Sequence, residues 1–183
     1  MTTEIELKAH VKDHIKLKSL LSEKGEYLGA FEKDDTYWFP TGGSSGIDKL
    51  RIRREKRSLP CGKETHTCLL CYKKRERRDG IEINDEKEFE VNPIEYAEEF
   101  LLEMGLKPGI SKKKKGSAYR AGGITAELHE VEGLGWFIEL EILIDNNNKE
   151  NIQRARDELL EFLYSLNIGK ENIESRYYTE MLS

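Results

Sequence analysis

Glu4, Glu6 and Lys8 alternate with Ile5 and Leu7 near the start of the chain, and Glu139 and Glu141 alternate with Ile138, Leu140 and Ile142 near its end. In a β-strand successive side chains point to opposite faces, so residues two apart share a face at a spacing of roughly 6.6 to 6.8 Å. Each segment therefore reads as a strand with one acidic and one apolar face. A half-solvated antiparallel strand would alternate in the same way, so neither segment is decisive alone. The middle of the chain supplies the opposite charge with the same period: Arg51 and Arg53 flank Ile52, and Lys73 follows Tyr72. Carboxylates and guanidinium groups on strand faces that turn inward suit a metal and a polyanion.

The 183 residues are 37% apolar and 36% charged. That length allows one domain, residues 1–183, with a substantial core. So many charges fit a closed barrel with a polar lumen better than a simple sandwich. The net charge of −5 argues against a generally basic nucleic-acid binder. Basic residues nevertheless dominate from Lys49 to Arg78, and a second basic run spans Lys112 to Lys115. Arg75 to Arg78 read as a solvated loop or tail. No apolar stretch approaches the roughly 20 residues that span a bilayer, and no signal-peptide pattern opens the chain. A soluble, cytoplasmic protein is expected. Cys61, Cys68 and Cys71 form no convincing disulfide framework. His66 lies near Cys68 and Cys71, which invites a zinc site, but on one strand those two cysteines fall on opposite faces, whereas structural zinc needs converging ligands. Reduced structural thiols are the expectation.

The first strand reads as Met1 to Val11. Asp13 can cap a helix with Leu17, Leu20 and Leu21 on one side, ending at Gly25. Strands follow at Asp34 to Phe39, Lys49 to Arg54, Thr67 to Lys73 and Lys87 to Val91, with a flexible loop predicted over Pro40 to Gly46. Asn92 as N-cap, Pro93 at the first helical position and Glu95 predict a helix that turns Phe100, Leu101 and Met104 to the core and stops at Gly105. Three more strands fall near Lys112 to Arg120, Ile124 to Val131 and Trp136 to Leu143. A long helix then carries Ile152, Ala155, Leu159, Phe162, Leu163 and Leu166 at helical spacing. The sum is an α+β chain: about eight antiparallel strands and three or four helices.

Several ordered segments resemble the CYTH family, also called triphosphate tunnel metalloenzymes. These are Glu4-Ile5-Glu6-Leu7-Lys8, Asp35-Thr36-Tyr37-Trp38, Leu50-Arg51-Ile52-Arg53, Tyr72-Lys73, and the run from Val131 through Gly133-Leu134-Gly135 to Glu141. The resemblance covers nearly the whole chain. It implies an eight-stranded antiparallel β-barrel, a tunnel with helices packed outside, holding a triphosphate and Mg²⁺ or Mn²⁺. It assigns metal binding to Glu4, Glu6, Glu139 and Glu141. Triphosphate contacts go to Lys8, Arg51, Arg53, Lys73 and Lys114, with Lys115 as a substitute, and Lys8, Arg53 and Lys73 are the catalytic candidates. Hard divalent ions prefer oxygen ligands, and arginine forks match phosphate oxygens bidentately.

Two positions depart from the family's pattern. Gly116 occupies what looks like an arginine position, and His129 stands where many members have Asp. His129 could bind metal, donate to phosphate or face solvent. Glu86, Glu88 and Glu90 form an acidic strand whose register stays open, with Glu88 a further candidate. The resemblance points most to the class IV adenylyl cyclase branch, which converts ATP to cyclic AMP and pyrophosphate. A triphosphatase acting on tripolyphosphate, thiamine triphosphate or a nucleotide is the alternative, and a non-enzymatic polyphosphate- or RNA-binding module a third reading. The expected partner is a small-molecule triphosphate, not nucleic acid or membrane, with a homodimer left open.

Overall fold

A computed structural model describes residues 2–41 and 50–183. The loop predicted over Pro40 to Gly46 lies mostly outside the described residues. Eight strands close into one antiparallel barrel in the order β1-β5-β4-β3-β2-β6-β7-β8. They are β1 (Thr3–His10), β2 (Glu26–Pro40), β3 (Leu50–Ser58), β4 (Glu64–Arg78), β5 (Ile81–Glu90), β6 (Leu106–Ala121), β7 (Ile124–Val131) and β8 (Gly135–Ile144). Helices α1 (His14–Lys24), α2 (Ile94–Glu103), α3 (Lys149–Ser165) and the one-turn α4 (Tyr178–Met181) lie outside the sheet. The α+β barrel expected from the alternating strands is the fold observed. Among the described residues, no helix is long and apolar enough to cross a membrane.

Period two sorts each strand. On β1 and β8, Ile5, Leu7, Ala9, Ile138, Leu140 and Ile142 point outward and are buried beneath Leu17 and Leu21 of α1 and Ile152, Ala155, Leu159 and Leu163 of α3. Each fully buried Leu or Ile there contributes about 1.5 to 3 kcal/mol. The intervening glutamates must then face the lumen. Asp13 caps α1 by accepting the Lys16 N–H at 2.9 Å, and Gly25 closes the helix with extended backbone. Glycine is needed there because a Cβ would lie 2.8 Å from the Arg120 carbonyl oxygen.

The region around α2 departs from expectation. The helix starts after a cis Asn92–Pro93 bond, with Pro93 at the cap and no side-chain capping bond. Ile94 and Leu101 are buried, whereas Phe100 and Met104 are 60% and 64% exposed. The cause is the small surface beneath the helix: Trp38, Ile52 and their neighbours cover only one narrow stripe of it. Gly105, at φ +78°, does end the helix. The predicted solvated loop at Arg75 to Arg78 is instead the last part of β4, paired with Ile81 to Asn84 of β5. Arg77 holds Glu180 through two hydrogen bonds of 2.9 and 3.0 Å. Strands β2, β4 and β6 run 15, 15 and 16 residues, longer than local pattern suggests, because staggered closure makes each strand pair with two neighbours over different spans.

Candidate active site: a charged lumen

The inward faces enclose a cavity of about 560 Å³. Ten basic and eight acidic side chains line it among the described residues, so the lumen is locally cationic although the chain carries −5. The charges are segregated. Glu4 and Glu6 of β1, Glu82 and Glu86 of β5 and Glu141 of β8 form an acidic wall, and Lys33, Arg51, Arg53, Lys112 and Lys114 of β2, β3 and β6 form a basic wall.

Asp35 organises the basic wall. Its carboxylate is fully buried and accepts from Arg53 Nε at 2.7 Å and from a terminal Arg53 nitrogen at 3.1 Å. Lys112 Nζ lies 3.0 Å away and Arg51 3.7 Å away. Burial would raise this carboxyl, but Arg53, Lys112 and Arg51 hold it well below the ordinary range. Arg51 also donates to Glu86 at 2.8 Å, while among the described residues its buried Nε has no hydrogen-bond partner. Tyr37 receives Lys112 at 3.2 Å. Despite burial, this lysine brings the phenol down to about 8.

On the acidic wall one ammonium serves three carboxylates. Lys73 Nζ is 2.9 Å from Glu4, 3.1 Å from Glu86 and 3.4 Å from Glu6. Lys8 pairs with Glu82 at 3.1 Å. Burial and the neighbouring Glu4 and Glu6 push Glu141 up to about 8. Burial also raises Glu4, although its Oε2 lies 2.9 Å from Lys73 Nζ. Glu86 behaves oppositely: Lys73 and Arg51 outweigh burial and hold it at about 2. At the seam, Lys114 donates to Glu139 at 2.6 Å and Lys33 to Glu127 at 2.7 Å. The lumen, rich in carboxylate oxygens and with Glu141 raised, fits a hard divalent cation. The family resemblance assigns it to Glu4, Glu6, Glu139 and Glu141, whereas among the described residues the ligand atoms that come within 4.8 Å of one another are those of Glu127, His129 and Glu139 and of Cys71, Glu86 and Glu88.

The structure thus brings Glu4, Glu6, Lys8, Arg51, Arg53, Lys73, Lys114, Glu139 and Glu141 into one cavity, and Glu88 lies at its edge accepting from Cys71 Sγ at 2.9 Å. Strand register resolves the acidic segment by pairing Glu86 with Lys73 and Glu88 with Cys71. Lys115 does not join them. It projects outward, 70% exposed, and pairs with Glu130; the inward lysines of that run are Lys112 and Lys114. Cys68 and Cys71 fall on opposite faces, and burial raises the Cys71 thiol to about 12, in keeping with a structural thiol.

Gly116 and His129 are cross-strand partners. A Cβ at residue 116 would sit 2.2 Å from the Leu128 carbonyl oxygen and 2.6 Å from the His129 Cα, so no larger side chain fits without moving β7. His129 is fully buried and neither faces solvent nor offers a free nitrogen. Its Nδ1 is 3.2 Å from the Glu127 carbonyl oxygen and its Nε2 3.0 Å from the Tyr178 hydroxyl. The carbonyl can only accept, so Nδ1 carries the proton, and the Tyr178 hydroxyl stands between Nε2 and the Glu139 carboxylate, with which it also hydrogen-bonds. Burial and Lys114 depress the imidazole to about 3, which keeps it neutral. Tyr178 in turn places its ring 4.7 Å from Lys8 Nζ and 5.1 Å from Lys112 Nζ.

Sequence reasoning missed Asp35, Lys33, Lys112, Glu82, Glu86, Glu127 and Tyr178 as lumen residues or supports. Lys112, Glu82, Glu86 and Glu127 share parity with recognised neighbours on their strands, whereas β2, which carries Asp35 and Lys33, held no site candidate. Tyr178 carried no local signal.

Compared with known proteins, residues 2–178 match the CYTH domain, and the chain belongs to that family. Its enzymes, cyclases or triphosphatases, use a divalent metal and act on triphosphate substrates. A putative adenylate cyclase of Methanocaldococcus jannaschii is 27% identical over 179 residues, covering 97% of each chain. A protein of Pyrococcus horikoshii has the same fold with a TM-score of 0.83 at 29% identity, over 98% of this chain and 97% of that one. A putative adenylyl cyclase from Hippeastrum, described as having a dominant triphosphatase activity, aligns with a TM-score of 0.66 at 19% identity over 96% and 91% of the two chains. That last likeness shows the fold alone.

Proposed function

We propose that this protein binds ATP with Mg²⁺ or Mn²⁺ in its lumen and converts it to cyclic AMP and pyrophosphate. The observation that carries the reading is the pair of opposed walls in one cavity, a basic wall suited to phosphate oxygens and an acidic wall one cation short. Without substrate the walls neutralise each other through Lys73, Lys8 and Lys114. A triphosphate gives these lysines and the unspent Arg51 and Arg53 N–H groups stronger acceptors, releasing Glu6 and Glu139 from their ammonium partners. A bound divalent ion would supply Lewis-acid polarisation of phosphate oxygens. Lys8, Arg53 and Lys73 would neutralise the charge that develops as the α-phosphorus changes partners from pyrophosphate to the ribose hydroxyl. The 27% identical relative named as a putative adenylate cyclase supports this reading.

The Hippeastrum protein supports a second, in which water attacks the terminal phosphorus. Product analysis separates them. Cyclic AMP and pyrophosphate from ATP are expected under at least one metal, with loss of turnover in Glu6→Gln. Orthophosphate from tripolyphosphate, without cyclic AMP under either metal, establishes the triphosphatase instead. Neither product, with RNA binding that weakens steeply as salt rises, would mark a non-enzymatic module.

A further inference from the structure

Residues Ile173 to Ser183 form a strap across one end of the barrel, in contact with β1, β4 and β7. A bridge from Ile173 to Ala9 registers it on β1, and the Glu174 N–H donates to the Lys8 carbonyl oxygen at 2.9 Å. Arg77 of β4 anchors it from outside, donating to the Ser175 carbonyl oxygen at 3.1 Å and, through its fork, to Glu180. Between these anchors Tyr178 turns inward and is buried. Its hydroxyl is held by His129 Nε2 and the Glu139 carboxylate, and its ring meets Phe137 edge-on with centroids 5.2 Å apart. Three ammonium groups surround that ring: Lys8 Nζ at 4.7 Å from the centroid, Lys112 Nζ at 5.1 Å and Lys114 Nζ at 5.7 Å. All three lie inside the roughly 6 Å over which an aromatic face attracts a cation. Their carboxylate partners draw them apart, because Glu82, Asp35 and Glu139 belong to β5, β2 and β8. The ring is the partner that the three lysines share.

We infer that Tyr178 is a positioning residue of the lumen, whose ring keeps Lys8, Lys112 and Lys114 converged on one small volume, ready for a polyphosphate. The inference rests on the reading of the lumen as a triphosphate site and adds a support that comes from the strap, outside the barrel strands. A polyphosphate must take these lysines from Glu82, Asp35 and Glu139. Each ammonium sits on a flexible four-carbon stem, so a lysine released by its carboxylate keeps its place only if something else holds it. The ring does so from one side by electrostatic attraction and uses none of the three N–H donors, which stay free for phosphate oxygens. His129 acts through Tyr178, since its imidazole fixes the hydroxyl and thereby the tilt of the ring. Gly116 leaves room for that imidazole, because a Cβ at residue 116 would lie 2.6 Å from the His129 Cβ.

The test measures tripolyphosphate binding by calorimetry with Mg²⁺ present, beside urea unfolding of each variant. Tyr178→Leu keeps an apolar group against Phe137 and Val131 but removes the ring, and should weaken tripolyphosphate about tenfold, the scale of a desolvated cation–π contact. Tyr178→Phe, which restores the ring without the hydroxyl, should bind within about threefold of wild type. Glu180→Ala frees the strap from Arg77 without touching the lumen and should weaken binding about threefold. A merely structural role would lower the unfolding midpoint of Tyr178→Leu and leave the affinity of the folded protein unchanged, which overturns the inference. A phenylalanine variant as weak as the leucine one overturns it too, because the two share only the loss of the hydroxyl. Should Tyr178→Leu fail to fold, Glu180→Ala decides, and unchanged affinity there counts against the strap. Wild type that binds tripolyphosphate with no dependence on residue 178 refutes the role of Tyr178 while sparing the tunnel reading; wild type that binds none overturns both.

Discussion

The two walls of the lumen are built from strands of the same period and similar charge density, yet their carboxylates ionise in opposite ways. On the basic wall Asp35 is surrounded by Arg53, Lys112 and Arg51 and stays far below its ordinary range; at the adjoining seam Glu127 is held at about 2 by Lys33 and Lys114 against the effect of burial. On the acidic wall Glu4 and Glu82 are raised and Glu141 reaches about 8, while Glu86, which Arg51 reaches from the basic wall, is the exception at about 2. The difference lies in the ratio of partners: several cations to one carboxylate on one side, and two ammonium groups, Lys73 and Lys8, to five carboxylates on the other. The basic wall is close to charge balance as folded, and the acidic wall carries more carboxylates than cations.

Removing the hub of the basic wall should have the largest effect. Asp35→Asn leaves three buried cations without their shared anion, and breaking a buried pair in this way costs about 3 to 5 kcal/mol. Urea unfolding should show that loss, and tripolyphosphate should restore part of it by replacing the missing negative charge. A variant as stable as wild type would show that the wall does not depend on Asp35. Next in size is Arg53→Lys, which keeps the charge but loses the fork. Calorimetry with tripolyphosphate should register a loss of about 1.5 to 3 kcal/mol, one to two decades in affinity. Equal affinity would remove Arg53 from the clamp.

The walls should also respond oppositely to pH. Glu141 holds in the folded state a proton that the unfolded chain releases near 4.5, so its contribution is present below 4.5 and lost as pH rises through about 8. Glu127 contributes above 4.5 and loses that contribution as pH falls through about 2. Relative to Glu141→Gln, metal-free wild type should lose about 3 kcal/mol between pH 5 and 8, and Mg²⁺ should reverse most of it. Relative to Glu127→Gln, wild type should lose stability only on the acid side. Parallel profiles for the two variants would abolish the distinction between the walls. The smallest effect belongs to Lys115→Ala: triphosphate affinity should stay within about 0.5 kcal/mol of wild type. A loss matching that of Lys114→Ala would contradict the outward placement of Lys115.

Local alternation determined much of this protein before any coordinates. Glu4, Glu6 and Lys8, Arg51 and Arg53, and Glu139 and Glu141 each sit beside an apolar residue whose burial fixes the face of its strand. The same reasoning placed α3, whose apolar stripe repeats over four turns. Where no apolar marker exists, local pattern had nothing to read. Lys112 to Lys115 are four identical side chains, and only pairing of β6 with β2 and β7 turns Lys112 and Lys114 inward. Glu86 and Glu88 likewise acquire distinct roles only when β4 sets Lys73 against one and Cys71 against the other. Phe100 and Met104 look like core residues until the surface beneath α2 proves too narrow to cover them. Tyr178 meets His129 across 49 residues, and Gly116 makes sense only beside that histidine. Composition and period are properties of neighbours in the chain. Register, stagger and the filling of a lumen depend on residues far apart in it, and those the closed barrel alone decided.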